Sequence, residues 1–313
     1  MEIAFIVIHQ LMIFIVFALI GVIAVKAGVL SQDGLQSVSR LIIKITLPIM
    51  LFTNTAGGVT REELWQTLPV MAATVVMYLG LFALCSLLRF GFRLQGDQGR
   101  VFLAASVFGN VGFIGIPIIS TLYPTAGMLY VAAFTLVDQL LMWTIGANLT
   151  VPAGRGGQSL TASLRKLINP ATIAIVLAVI VILTGVQLPS ALNQALTQVG
   201  ATTSPLAMIY LGGMFCFMDI AASLRHKEFY GTIVAKMVLF PLVLHLVLRA
   251  LLPLTEEALM TMTILAALPA MTSVAMLAQS QNNHGDYCSG CVFVTTVASV
   301  VTLPVVCLLV SLL

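Results

Sequence analysis

The sequence predicts an all-α membrane protein of ten transmembrane helices, built as two inverted five-helix repeats whose broken fourth members, spans four and nine, cross. Three observations carry that reading. Of 313 residues, 60% are apolar and only 8% charged, with a mean hydropathy of +1.09, whereas a soluble domain carries roughly 25% charged residues. Ten apolar runs follow one another along the chain, each near the ~20 residues that a bilayer core requires. Gly, Asn and Pro interrupt the fourth run and Pro the ninth, at matching places in the two halves.

So few charges cannot cover a water-facing globule, which excludes a soluble enzyme and a nucleic-acid binder. The formal net charge of +3 comes from basic residues scattered among apolar runs, with no stripe to hold a polyanion. The five cysteines are an odd number, and Cys288 and Cys291 form a lone CxxC without a second pair, so they read as packing residues rather than a metal or redox centre. Phosphate-loop, GxSxG and HExxH motifs are absent from the sequence; neither an ATP-driven pump nor a familiar intramembrane protease is expected.

The elements are expected in the following order. Residues 3–25 follow Glu2 without a basic n-region or a small-residue cleavage site and read as a first span rather than a signal peptide. Span two is 41–57, with Pro48 inside ITLPIMLF; span three is 67–88; span four, 101–122, contains GNVGFIGIP; span five, 128–151, carries Asp138, Gln139 and Trp143. The loop 152–169, with GRGGQS inside it, sits at mid-chain and divides a first repeat, 1–157, from a second, 158–313. Spans six to ten follow as 170–186, 202–222, 231–252, 258–280 with AALPAMTS, and 289–312.

Orientation follows from the basic residues, because Lys and Arg in short loops stay cytoplasmic. The loops after spans one, three, five and seven hold Lys26, Arg40, Arg89, Arg93, Arg100, Arg155, Arg165, Lys166, Arg225 and Lys227, ten in all. Lys44 and Lys236 lie about a turn inside the same ends, where their charge is expected to snorkel to the interface. The opposite side has Arg61 and Arg249 beside Glu62, Glu63, Glu256 and Glu257, which read as solvated loop charges. Both termini are therefore expected outside the cytoplasm. Since each half has an odd number of spans, the second enters the membrane upside down relative to the first.

Asn110, Gly112, Gly115 and Pro117 fall within eight positions of span four, which would leave backbone groups unsatisfied in lipid unless the segment faces protein or water. Pro269 does the same in span nine. Breaks are expected at Pro117 and Pro269, with Gly112 and Gly115 admitting the opposing chain. Half-helix N-termini at such a crossing favour an anion. A carboxylate fits, held by dipoles and by hydrogen bonds from Asn110, Thr272 and Ser273, because neither span carries a basic residue in its core. Asn282, near the end of span nine, is expected at a gate. In span five, Asp138 would cost about 2.5–3.5 kcal/mol if it faced lipid bare. It is the candidate for proton coupling, with Gln139 its expected partner. Asp219 reads as an interfacial partner of Arg225 or Lys227, and His245 as structural.

These motifs give the sequence its resemblance to the auxin efflux carrier family, which includes the plant PIN-FORMED exporters and bacterial permeases for malate, malonate and related acids. FGNVGFIGIPII resembles the first crossover helix of that family, with Asn110 on its substrate-contacting asparagine. ITLPIMLF resembles its early proline-bearing span and RKLINP the opening of its second half. AALPAMTSVAMLAQSQNNHGD resembles the second crossover helix, with Asn282, His284 and Asp286 on matching polar positions; Gln139 with Trp143 matches the fifth span. The resemblance implies the crossed-helix fold shared with bile-acid symporters and sodium/proton antiporters. It also implies a scaffold of spans 1, 2, 6 and 7 and a mobile transport domain of spans 3–5 and 8–10.

The long central loop of the plant members and an acid–lysine pair in span three are both missing here. The implied function is therefore that of a bacterial secondary transporter in the inner membrane, moving a small mono- or dicarboxylate by alternating access. No cofactor is implied, coupling to H+ or Na+ is left open, and the partners are the organic anion, the lipid bilayer and, as one assembly the reading allows, a second copy in a homodimer. The alternative is a membrane-embedded carboxylate receptor or sensor. A cation/proton antiporter is the weakest reading, since it would place acidic residues at the crossing.

Overall fold

The computed structural model describes residues 2–56, 67–123, 126–153 and 170–312, all built from helices and their connections apart from one isolated β-bridge. Residues Arg61, Glu62, Glu63, Arg155, Arg165 and Lys166, and with them the mid-chain division at 157, lie outside the described residues.

Helix α1, Glu2–Lys26, ends on its one basic residue. Ser31 then caps α2, Gln32–Ala56, by accepting from the Gly34 N–H at 3.1 Å. This helix starts nine residues before the expected 41 because the polar turn QDGLQSVSR carries its own cap and first-turn acid. An N-cap with an acid behind it starts a helix without apolar residues. Helix α3 is Leu68–Gly91, α4 Gly96–Val107 and α5 Val111–Leu122. Helix α6 runs from Ala126 through π-helical turns at Met142–Gly146 to Leu149.

In the second half, α7 is Pro170–Thr184, α8 Ser190–Ala201 and α9 Thr203–Phe215. The seventh run thus stops seven residues before the expected 222. Asp219 instead caps the short α10, Ile220–Ser223, by accepting from the Ala222 N–H at 2.9 Å, and forms no ion pair with Arg225 or Lys227. Helix α11 is Lys227–Leu251, α12 Glu256–Ala267, α13 Thr272–Ser280 and α14 Gly285–Val310. Glu256 and Glu257 sit in the first turn of α12 rather than in a loop, with Arg249 3.5 Å from Glu256.

Six of the described helices, α1, α2, α3, α6, α11 and α14, are long and apolar enough to cross a membrane. Their outer surfaces are apolar: Phe5 is 72% and Leu79 66% exposed, as suits a lipid-facing surface. Helix α1 packs most extensively on α9. Gly21 and Gly212 make that approach close: a Cβ at Gly21 would collide with the Ile209 carbonyl, and one at Gly212 with that of Ala18. Van der Waals packing of this small-residue kind drives helix association in lipid, where the hydrophobic effect does not. Helices α7 and α8 pack on α2, while α3 and α12 pack on α6, α11 on α12 and α13 on α14. The fourth and ninth runs lie between these groups, and each is divided into two helices.

Candidate functional site

Helix α4 stops at Val107. Phe108 is extended (φ −82°, ψ 122°) and Asn110 has φ −78° and ψ 64°, the geometry of an inverse γ-turn, closed by the Val111 N–H on the Gly109 carbonyl at 2.8 Å. Helix α12 stops at Ala267, and Leu268 takes φ −59° and ψ 147°, the extended form that a following proline imposes. The two extended segments pair antiparallel, Gly109 opposite Ala270. Asn110 N–H donates to the Pro269 carbonyl at 2.9 Å, and Met271 N–H to the Phe108 carbonyl at 3.0 Å. Thr295 Oγ1 on α14 accepts from the Ala270 N–H at 3.1 Å. Each break thus satisfies the backbone groups of the other, without which two interrupted helices could not persist away from water.

From these paired breaks α5 and α13 depart, and neither has a side-chain cap at its N-terminus. Two sets of first-turn N–H groups and two positive dipole ends therefore meet at one place. Asn110 Nδ2 donates to Thr272 Oγ1 at 2.9 Å, binding one half-helix start to the other. Asn110 Oδ1 and Ser273 Oγ are buried beside that bond with no partner. A hydroxyl can donate or accept, so Thr272 holds the Asn110 amide in either orientation, leaving either its oxygen or its NH2 free to meet a ligand. Asn110, Thr272, Ser273 and Pro269 are thus brought together.

Pro117 is not at the break. It lies inside the helix that has run from Val111, just after its π-helical turn Val111–Gly115. Its missing N–H still has a consequence: the Phe113 carbonyl, four residues back, is bonded by Ser204 Oγ of α9 at 2.9 Å. Nor do the two glycines act alike. Leu265 and Leu268 of α12 press on Gly115, whereas Gly112 faces Met50 and Leu47 of α2.

Asp138 belongs to a second buried network. Gln139 Nε2 donates to its Oδ2 at 2.7 Å, Trp143 Nε1 donates to Gln139 Oε1 at 3.0 Å, and the Tyr78 hydroxyl of α3 donates to Asp138 Oδ1. Gln139 makes no bond to Asn110 or Thr272. The two networks meet through Phe108, whose ring lies 5.5 Å from that of Tyr78. His245 is paired with Thr263 at 2.9 Å. Asn282, exposed and with φ 52°, lies outside the crossing. It lines a cleft of about 330 Å³ between α2, α9 and α13, together with Ser39, Arg40, Tyr210, Met276 and Gln279. Met276 is one turn beyond Ser273 on α13, which orients the cleft along the helix that starts at the crossing.

Sequence reasoning missed Lys236. Expected to snorkel, it is 1% exposed and its ammonium donates to the carbonyl of Leu268, at the break itself. Tyr78 was missed as well. A tyrosine in an apolar helix has no pattern to single it out, and the place of Lys236 depends on α11 packing against α12.

A model of the membrane transport protein family matches residues 6–307. The chain is 25% identical over 307 residues to the uncharacterized transporter YfdV of Escherichia coli K12, covering 95% of each chain. It is 25% identical over 300 residues to an uncharacterized transporter of Methanothermobacter thermautotrophicus, covering 93% of this chain and 94% of that one. An uncharacterized transporter of Methanocaldococcus jannaschii, MJ1031, is 23% identical over 207 residues, or 64% of this chain and 66% of its own. With a family model spanning nearly its whole length and transporters as its relatives, the chain belongs to the membrane transport protein family, the auxin efflux carrier family that the motifs of its fourth and ninth runs resemble.

Proposed function

We propose that this protein is a secondary transporter of the inner membrane that carries a small organic anion, a mono- or dicarboxylate, by alternating access with the substrate at the crossing of Asn110 and Pro269. The observation that carries the reading is the pair of unpartnered buried atoms, Asn110 Oδ1 and Ser273 Oγ, at the converging N-termini of α5 and α13. Buried polar groups are normally bonded, and unpartnered ones at two positive dipole ends suit a carboxylate in transit.

On this reading the ten apolar runs form two inverted repeats, with α4–α5 and α12–α13 as the crossed fourth members. Spans 1, 2, 6 and 7 form the scaffold and the rest the transport domain, a division supported by the packing of α1 on α9 and of α7 and α8 on α2. Both termini are extracytoplasmic. The cleft at Arg40 and Asn282 is then the cytoplasmic approach, and Asp138 carries a coupling proton. Uptake of radiolabelled mono- and dicarboxylates into proteoliposomes tests the proposal: accumulation that Asn110→Ala reduces is expected. Binding without uptake would make the protein a receptor, and neither would remove the carboxylate from the site.

A further inference from the structure

Lys236 lies in a π-helical stretch of α11, Ile233–Leu239, a local widening that recurs at functional sites. Among the described residues three carboxylate or ammonium groups are buried: Asp138, Glu228 and Lys236. Asp138 has Tyr78 and Gln139, and Glu228 has His226 and Tyr287. Lys236 has no carboxylate. Its hydrogen bond goes to the Leu268 carbonyl. An ammonium has three donors, and one acceptor is present.

A neutral side chain would be enough to bond one carbonyl, and burying a cation in a span is unfavourable unless its charge is used. The place of this charge is particular. The C-terminal ends of α4 and α12 also reach this place, and their negative dipole charges of about half a unit each weaken the positive field of the two N-termini. Leu268 is the residue on which α12 gives out, and the next carbonyl, that of Pro269, accepts from Asn110 N–H at 2.9 Å. Lys236 offsets one negative end and leaves a positive excess two peptide groups from Asn110.

We infer that Lys236 sets the charge preference of the crossing, so that, on the carboxylate-transport reading proposed above, the site favours a dianion over a monoanion of the same size. It is a positioning residue: it acts on the ligand through the Leu268–Pro269 break and its field, without being assigned a contact.

The test is binding of matched four- and five-carbon pairs, succinate against butyrate and glutarate against pentanoate, by purified wild-type protein, Lys236→Gln and Lys236→Arg. Glutamine can still bond the Leu268 carbonyl but has no charge. The wild type should prefer the dianion, and Lys236→Gln should reduce that preference by about ten-fold, while Lys236→Arg keeps it. A merely structural lysine would weaken both members of a pair equally, so an unchanged ratio in Lys236→Gln overturns the inference and leaves the carboxylate site standing. Should Lys236→Gln fail to fold, the same ratio is read in Lys236→Met, which fills a similar volume without charge; an unchanged ratio there, or a wild-type preference for the monoanion, overturns the inference. Wild-type protein that binds none of the four acids removes the proposed function and this inference together.

Discussion

Tyr78 and Asp138, sixty residues apart on α3 and α6, are joined by a buried hydrogen bond from the phenol to the carboxyl group. Gln139 donates to the other carboxyl oxygen at 2.7 Å, so the acid expected to need one partner has two, one from another helix. Removing a bond to a charged group costs about 1.5–3 kcal/mol. Tyr78→Phe should therefore lower the melting temperature of the detergent-purified protein, with Gln139→Leu lowering it further. Coupling is a separate question. Asp138→Asn should keep binding measurable and flatten the pH profile of transport, because the amide cannot exchange a proton at that site; a wild-type profile in this variant would make Asp138 structural.

Where the two breaks pair, the bond from Asn110 Nδ2 to Thr272 Oγ1 at 2.9 Å holds two half-helix starts in register. Asn110→Ala removes that bond and the free amide oxygen together, and should weaken carboxylate binding by about ten- to a hundred-fold, at 1.4 kcal/mol per decade. Thr272→Val keeps the amide but frees its orientation, and should weaken binding less. Folding should survive both, since the backbone bridge between Phe108–Asn110 and Pro269–Met271 does not use either side chain. Isothermal titration of the purified variants, with circular dichroism as the folding control, reads the two effects apart.

The interruption of the fourth and ninth runs was legible because Asn, Gly and Pro in apolar runs are conspicuous: each either removes a backbone donor or demands a partner where lipid has none. What sequence could not supply was which of them breaks the helix. Pro117 has the stronger helix-breaking tendency, yet the chain turns at Gly109–Asn110 because a γ-turn there lets both breaks share hydrogen bonds, leaving Pro117 inside a helix where Ser204 replaces its missing donor. Lys236 was misread for a related reason. A charge near a span end reads as interfacial, and only the packing of α11 against the end of α12 places it at Leu268. Tertiary pairing between elements some 32 residues apart or more decided both cases, and no local pattern carries that information.

Topology can be tested with the native cysteines. Cys216, after α9, is exposed, while Cys85, Cys288, Cys291 and Cys307 are buried. In the orientation proposed above, with both termini outside the cytoplasm, Cys216 falls on the cytoplasmic side. An impermeant maleimide should leave intact cells unlabelled and label inverted vesicles, with the label lost in Cys216→Ser. Labelling of Cys216 from outside intact cells would reverse the orientation.

Ser204 and Pro117 should be energetically coupled. Proline withholds the N–H that the turn below it would receive, and Ser204 Oγ takes its place on the Phe113 carbonyl at 2.9 Å. Ser204→Ala alone leaves that carbonyl without a donor and should destabilise the protein by about 1 kcal/mol. In a Pro117→Ala background the restored N–H can reach the same carbonyl, so Ser204→Ala should there be nearly silent. A double-mutant cycle read by thermal denaturation measures the difference, and a coupling of roughly 1 kcal/mol is expected for groups that share one acceptor. Additive effects would mean that the Phe113 carbonyl finds another donor, and that Ser204 packs α9 on α5 rather than repairing its proline.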